Sequence, residues 1–155
     1  MKIRHEKITI YIACLMVVGI IHHLDHVLRY DHSGWPFRPE ISPFTFSLLV
    51  YPVIVSLFII KNKMYRVCAS GVLALLVILA HIFLETPIDQ FSTWAHNSSS
   101  FVYALGHPNL LNIQSVALGY GAVILGMMLN IGIVTLPFLF WKEEKFQNDK
   151  ITRKN

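Results

Sequence analysis

The sequence predicts an all-α protein, an integral membrane four-helix bundle in a single domain. Of its 155 residues, 54% are hydrophobic and only 14% are charged, whereas soluble domains carry about 25% charged residues. Four apolar runs, at about 8–30, 44–60, 65–86 and 113–141, each approach or exceed the roughly 17–25 residues that a helix needs to cross a bilayer. They leave outer loops at 31–43 and 87–112.

The distribution of basic residues predicts the orientation of this bundle. Eleven of the thirteen lysines and arginines lie in the N-terminal segment, the loop between the second and third runs, and the C-terminal tail. Only Arg29 and Arg38 fall on the opposite side. The positive-inside rule therefore predicts a multi-pass protein of the cell membrane with both termini in the cytoplasm. Because topology accounts for the net charge of +4, we expect membrane lipid as a partner and no nucleic acid.

The first run ends in the string HHLDHVLRYDH, residues 22–32, which is rich in groups that bind protons and metals. At about 100° per residue, His22, His26 and Arg29 fall in one helical stripe, with Asp25 on one edge and His23 on the other. Ionisable groups inside a span are costly unless they face protein, a partner or water. The stripe is therefore a candidate site.

The third run carries a matching pair, His81 and Glu85, whose i, i+4 spacing places both on one helical face. At 1.5 Å per residue, His22 and His81 both lie roughly 21 Å along their helices, and His26 and Glu85 roughly 27 Å. Because the first and third spans run in the same direction, the spacing predicts two polar layers at the outer end of the bundle.

Imidazole nitrogens and carboxylate oxygens are ligands that suit Zn, Fe, Mn or Cu. We therefore expect a transition metal ion bound by His22, His26 and His81, with Glu85 as a fourth ligand or general base. Asp25 and Asp89 are expected to orient ligand imidazoles, and Arg29 to orient substrate. Further candidate ligands are His23, His32, Asp89, His96 and His107.

The leading functional prediction is a small membrane metalloprotein. As an enzyme, it would act on a lipid or other apolar substrate. Two alternatives remain open. Histidines at equal depth on two spans resemble the arrangement of b-type cytochromes, which implies a haem-bearing electron-transfer subunit. The other alternative is a non-catalytic accessory subunit of a larger membrane complex.

The remaining segments predict packing features. Pro52 should kink the second span, and the loop at 87–112 should contain a short helix lying on the membrane. In the fourth span, the pairs Ala117/Gly121 and Ala122/Gly126 have the small-xxx-small spacing that lets helices approach closely. That spacing predicts internal packing, or a homodimer or larger complex formed through this span.

Overall fold

The computed structural model describes residues 2–29, 47–101 and 104–152, and the side chains of 6–29, 47–101 and 104–142. These residues form five helices and no strand, so the all-α prediction is confirmed for this part of the chain. The helices are α1 (Lys2–Leu28), α2 (Val50–Ile59), α3 (Lys63–Phe83), α4 (Pro87–Ala95) and α5 (Val116–Thr152). The first outer loop, 31–43, lies outside the described residues.

Three of the helices are long and apolar enough to cross a membrane. The segments are Glu6–Leu28 in α1, Lys63–Phe83 in α3 and Val116–Lys142 in α5. Many large apolar side chains on these helices are exposed, including Ile20 and Leu24 of α1, Leu75 and Leu79 of α3, and Ile124 and Ile131 of α5. Apolar surface this extensive is unfavourable in water and suits contact with lipid.

The described part of the second predicted span is shorter than a membrane crossing. It is the apolar segment Ser47–Ile59, about 20 Å long at 1.5 Å per residue, against a hydrocarbon core of about 30 Å. Residues 44–46 lie outside the described residues. Pro52 lies in the first turn of α2, and the kink expected there stays a prediction.

Helix α5 holds the bundle together, since it packs against α1, α3 and α4, while α2 packs against α1 and α3. The C-terminal ends of α1 and α3 meet, so these two helices run in the same direction. Helix α5 runs in the opposite direction. The Ser115 N–H beside its start donates to Trp94 O of α4 at 2.7 Å, and the Tyr11 hydroxyl near the start of α1 donates to Gly132 O at 2.9 Å.

The apolar core follows one stripe of α5. Leu129, Ile133, Leu136 and Phe140 are spaced by three or four residues, which places them on one helical face. They are buried in a cluster with Ile8, Ile12 and Leu15 of α1, Ile54 and Leu57 of α2, and Leu73 and Ala74 of α3. This core lies towards the basic end of the molecule and leaves the opposite end to polar groups.

Small residues of α5 allow α4 to pack closely against it. A Cβ added at Gly119 would lie 2.9 Å from both Cδ2 and the carbonyl oxygen of Phe91, and one at Gly126 would lie 2.8 Å from the Gln90 amide. Of the predicted small pairs, Ala122 and Gly126 are buried, whereas Ala117 and Gly121 are exposed. The short helix predicted in the second outer loop is present as α4, and five of its side chains are buried.

The close approach at Gly119 predicts different effects of the same substitution at two positions. Gly119→Ala should lower the free energy of unfolding by about 1–3 kcal/mol, because the methyl group overlaps Phe91. Gly121→Ala, where no described residue outside the local helix backbone lies within 4 Å of the added Cβ, should change it by less than about 1 kcal/mol, and in the stabilising direction. Unfolding in detergent micelles, followed by circular dichroism, measures both; equal effects would contradict the packing of α4 on α5.

Candidate metal centre

The polar stripe of α1 faces the interior. His22 is 1% exposed, His26 5% and Arg29 0%, as their helical spacing predicts, while Asp25 and His23 on the edges are half-buried. Leu24, on the opposite side of the helix, is exposed. The helix therefore directs its ionisable groups inward and its apolar groups outward.

Glu85 is placed by the turn that joins α3 to α4. Helix α3 ends at Phe83, and the backbone N–H groups of Leu84 and Glu85 both donate to Ala80 O, at 2.8 and 2.9 Å. Thr86 then caps α4 by accepting the Asp89 N–H at 3.2 Å, with Pro87 at the first helical position. Hydroxyl caps and an N-terminal proline are the usual start of a helix. The chain direction changes there, and the Glu85 side chain is buried.

His22, His26 and Glu85 form a compact group of potential metal ligands, whose ligand atoms all lie within 4.8 Å of one another. His26 Nε2 lies 2.9 Å from His22 Nε2 and 2.7 Å from Glu85 Oε2. His22 Nε2 lies 3.6 Å from the same oxygen. Ligands of a tetrahedral zinc ion, at about 2.0–2.1 Å from the metal, are themselves about 3.3 Å apart. The three separations bracket that value.

His81 borders this group. Its Nε2 lies 3.0 Å from His22 Nε2 and 3.7 Å from Glu85 Oε2. Its Nδ1 lies 2.8 Å from Val77 O, and a carbonyl oxygen only accepts, so Nδ1 carries the hydrogen. In the neutral ring the lone pair is then on Nε2, which faces the other ligand atoms. A ligand imidazole whose second nitrogen donates to a backbone carbonyl is the usual arrangement at metal sites.

Arg29 is the hub of an ion-pair network beside these ligands. Its guanidinium bonds to Glu85 Oε1, its Nε donates to Asp25 Oδ2 at 2.7 Å, and its Nη1 lies 3.5 Å from Asp89 Oδ2. The Gln90 amide donates to Glu85 Oε1 at 3.1 Å. Glu85 Oε1 is therefore occupied by Arg29 and Gln90, and Oε2 is directed at the histidines. Asp25 and Arg29 act on the ligand group through Glu85.

The Arg29 network joins four charged groups. Among the described residues it contains three carboxylates, Asp25, Glu85 and Asp89, and one guanidinium, Arg29. Buried charges are costly unless they are paired, so the contact with Arg29 stabilises the buried carboxylate of Glu85 beside the histidines.

Glu85 and Arg29 lie just beyond the spans Glu6–Leu28 and Lys63–Phe83, and both are held in their charged forms. Burial by itself raises the pKa of Glu85, but the charge of Arg29 and the hydrogen bonds from His26 and His22 outweigh it and hold that pKa well below its ordinary value. Burial would lower the pKa of Arg29, yet the carboxylates of Glu85 and Asp25 raise it.

Asp89 ties the network to the following loop. Its Oδ1 accepts the backbone N–H groups of Ser100 and Phe101, at 2.8 and 2.9 Å, and the Ser99 hydroxyl at 2.8 Å. These bonds leave Oδ2 facing Arg29. Asp89 thus holds the loop after α4 and contacts Arg29, while its expected role in orienting a ligand imidazole stays a prediction.

His23 belongs to a separate polar group, between α1 and α2. Its Nδ1 lies 3.0 Å from Gly19 O and 2.8 Å from the Tyr51 hydroxyl, and its Nε2 lies 3.2 Å from the Ser47 hydroxyl. The hydroxyls of Tyr51 and Ser47 are not metal ligands of the predicted kind. His23 therefore joins α1 to α2 at the height of the ligand group.

The other histidines lie away from the ligand group or outside the description. His96 and His107 are both exposed; the His96 ring packs against Phe91 at 5.8 Å between centroids, and the His107 backbone bonds to Ser99 and Ala104. In the described part of the chain, the compact ligand group contains neither of them. The prediction for His32 lies outside the described residues.

Two polar contacts of the site were missed by sequence reasoning. Gln90 holds Glu85 Oε1, and Trp94 Nε1 donates to Asp25 Oδ1 at 2.8 Å. A signal was present in the sequence: Thr86-Pro87 is a helix start, so Asp89, Gln90 and Trp94 could have been placed on the first turns of a helix that directly follows Glu85.

The burial of Arg29 predicts a large stability effect. Arg29→Met should lower the free energy of unfolding by about 3–5 kcal/mol, because it leaves buried carboxylates without their cation. Adding Glu85→Gln to that variant should recover part of the loss, since it removes one of those charges. Unfolding of the chelator-treated single and double variants in detergent measures both free energies. Lys61→Met, at an exposed lysine, is the matched control, and an equal cost there would contradict the network.

Comparisons of the chain with protein families, with curated proteins and with solved structures find no match.

Proposed function

We propose that this protein is a membrane metalloprotein that binds one divalent transition metal ion between α1 and α3. The observation that carries the proposal is the convergence of His22 Nε2, His26 Nε2 and Glu85 Oε2 at 2.7–3.6 Å from one another. His81, with its lone pair directed at the same point, is the fourth ligand. These four residues come from α1, from α3 and from the turn that follows α3.

The surroundings support a bound cation over a purely structural hydrogen-bond cluster. Neutral His22 and His26 supply at most two hydrogens to the converging atoms, whereas His81 Nε2 and Glu85 Oε2 supply none. A metal ion accepts all four lone pairs. Nitrogen and oxygen donors of this kind suit Zn, Fe, Mn or Cu.

In the enzymatic form of the proposal, the protein acts on a lipid or other apolar substrate. A bound ion supplies Lewis-acid chemistry or an activated water. Glu85 is the ligand or base at the reacting position, Arg29 holds its second oxygen, and Asp25 holds Arg29. Asp25 and Arg29, which the sequence also offers as catalytic residues, therefore have positioning roles.

A b-type haem fits the described residues less well. Two imidazoles that clamp one iron lie on opposite faces of the macrocycle, with nitrogens about 4 Å apart, twice a metal–nitrogen distance of about 2 Å. His22 and His81 instead stack, with ring centroids 5.1 Å apart and Nε2 atoms 3.0 Å apart. A charged carboxylate, Glu85, occupies the space beside them.

An accessory role in a larger complex is the second candidate. The exposed residues Ala117 and Gly121 form a small-residue face on the outside of α5, which allows close approach of a helix from a second copy or another subunit. The buried site would then be a structural metal centre in that complex.

The orientation in the membrane is part of the proposal. The N-terminal ends of α1 and α3 and the C-terminal part of α5 lie at one end of the helices, and the basic residues of the sequence cluster in those segments. The positive-inside rule places this end in the cytoplasm and the metal centre towards the outer face of the cell membrane.

Metal content tests the proposal directly. Wild-type protein, purified in detergent without chelators, should contain about one transition metal ion per chain, and the double variant His22→Ala/His26→Ala less than about a tenth, because ligands from one helical face are lost. His81→Ala should weaken binding about 10–100-fold. The matched control removes two exposed histidines, His96→Ala/His107→Ala, and should retain wild-type metal. Elemental analysis by mass spectrometry measures all four samples.

Three results would overturn the proposal. Wild-type protein with less than about a tenth of an equivalent of any transition metal rules out a resident ion. Full metal content in His22→Ala/His26→Ala places the ion elsewhere. A Soret band in the absorption spectrum of the same wild-type sample favours the haem alternative.

A further inference from the structure

A cavity of about 380 Å³ lies directly beside the ligand group. Its wall is formed by four helices, with Leu15 of α1, Val53 of α2, Val77 of α3 and Ile133 of α5 among the lining residues. This volume falls in the range of small-molecule pockets. The walls are mainly hydrocarbon, and the surrounding helices include the three apolar enough to cross a membrane.

The cavity is elongated and polar at one end. Its lining on α1 runs from Leu15 to His26, about 16 Å at 1.5 Å per residue. The apolar lining includes Leu73 and Leu129. The polar lining consists of residues at the candidate metal centre and of the neighbouring polar group between α1 and α2: His26, His81 and Glu85, and His23, Ser47 and Tyr51. A ligand that fits is long and apolar with one polar end.

Tyr51 provides a hydrogen-bond donor at that polar end. His23 Nδ1 lies 3.0 Å from Gly19 O and 2.8 Å from the Tyr51 oxygen. In the tautomer that carries its hydrogen on Nδ1, this hydrogen is shared between those two oxygens, and among the described residues the hydrogen of the Tyr51 hydroxyl is then available to an oxygen atom inside the cavity. A carboxylate is a poor candidate, because Glu85 already places negative charge there.

We propose that the cavity binds one long hydrocarbon chain of a membrane lipid, with a neutral oxygen-bearing end, an alcohol or an ester, held by Tyr51 beside the metal centre. The hydrocarbon chain of the lipid occupies the space between Leu15 and Ile133. The proposal names the substrate class of the site and rests on the proposed function only for the metal beside the polar end. A free fatty alcohol and the acyl ester of a phospholipid share this chemistry.

Photolabelling of the wild-type protein, and of a variant in which a larger side chain fills the cavity, tests whether the cavity binds a hydrocarbon chain. The probes are hexadecanol with a diazirine on the chain, the same diazirine chain without the hydroxyl, and a phosphatidylcholine carrying it on one acyl chain. Mass spectrometry should locate the hexadecanol label on cavity-lining peptides of wild-type protein in micelles. Val77→Phe should lower this labelling about fivefold or more by occupying the space. Val72→Phe, on the same helix but 58% exposed and outside the lining, should leave it unchanged.

The hydroxyl of Tyr51 is tested separately. Tyr51→Phe should lower labelling by the hexadecanol probe about 5–10-fold, the loss expected for one hydrogen bond of about 1–1.4 kcal/mol, and should leave the probe without a hydroxyl unaffected. Tyr65→Phe is the matched control, because Tyr65 bonds to Ser56 and does not line the cavity. If the phosphatidylcholine probe also labels the cavity, and Tyr51→Phe lowers that labelling, the bound group is an ester. If the phosphatidylcholine probe does not label the cavity, the bound group is the free alcohol.

Failure of this inference is distinguishable from failure of the proposed function, because metal content is measured in the same samples. Label found only on exposed residues, or equal labelling of Val77→Phe and Val72→Phe, overturns the chain-binding site whatever the metal content. Cavity labelling that shows these dependences in a protein without metal supports the lipid site and overturns the metal centre. If Val77→Phe does not fold, Ala80→Leu, which adds a side chain to the cavity lining near the polar end, replaces it.

Discussion

The contact between Arg29 and Glu85 is the interaction on which this end of the molecule depends. Both groups are almost fully buried, and neither tolerates that position without the other, since an unpaired charge in the interior is far more costly than a paired one. The pair joins the end of α1 to the turn after α3. By bonding to Glu85 Oε1, Arg29 also decides which oxygen faces His22 and His26.

The network also explains how a short helix becomes part of the site. Asp89 on α4 bonds to Arg29 through one oxygen and to the loop at 99–101 through the other, and Trp94 bonds to Asp25. Helix α4 in turn lies against α5, where glycine at 119 and 126 removes the side chains that would keep the helices apart. Each bond that positions the ligand group is thereby connected to the packing of the bundle.

A buried polar centre next to an apolar cavity is an unusual combination, and the two features depend on the same helices. Helices α1 and α3 meet at their C-terminal ends through His22 and His81, while α2 and α5 contact both of them. The group of His22, His26 and Glu85 lies at one end of the space that these four helices surround. In the proposed lipid site, a long apolar molecule in that space would have its polar end next to these residues, which is the arrangement that chemistry on a lipid needs.

Much of this was determined by the sequence alone. Apolar runs of sufficient length predicted the three long helices, because a helix satisfies its own backbone in lipid. Helical periodicity placed His22, His26 and Arg29 on one buried stripe and paired His81 with Glu85, since spacing within one helix depends only on 3.6 residues per turn. The equal depth of His22 and His81 also followed from counting residues in two helices of the same direction.

The tertiary structure decided the rest, because contacts between helices depend on rotation and approach that no single helix encodes. It separated His23, which turns to Tyr51 and Ser47, from its neighbours in the sequence. It assigned Arg29 to the carboxylates of Glu85 and Asp25, and it brought Gln90 and Trp94 to the site from a helix predicted to lie elsewhere. It also placed His96 and His107 at exposed positions, since residues in a long connection are positioned by the elements that they pack against and not by a regular repeat.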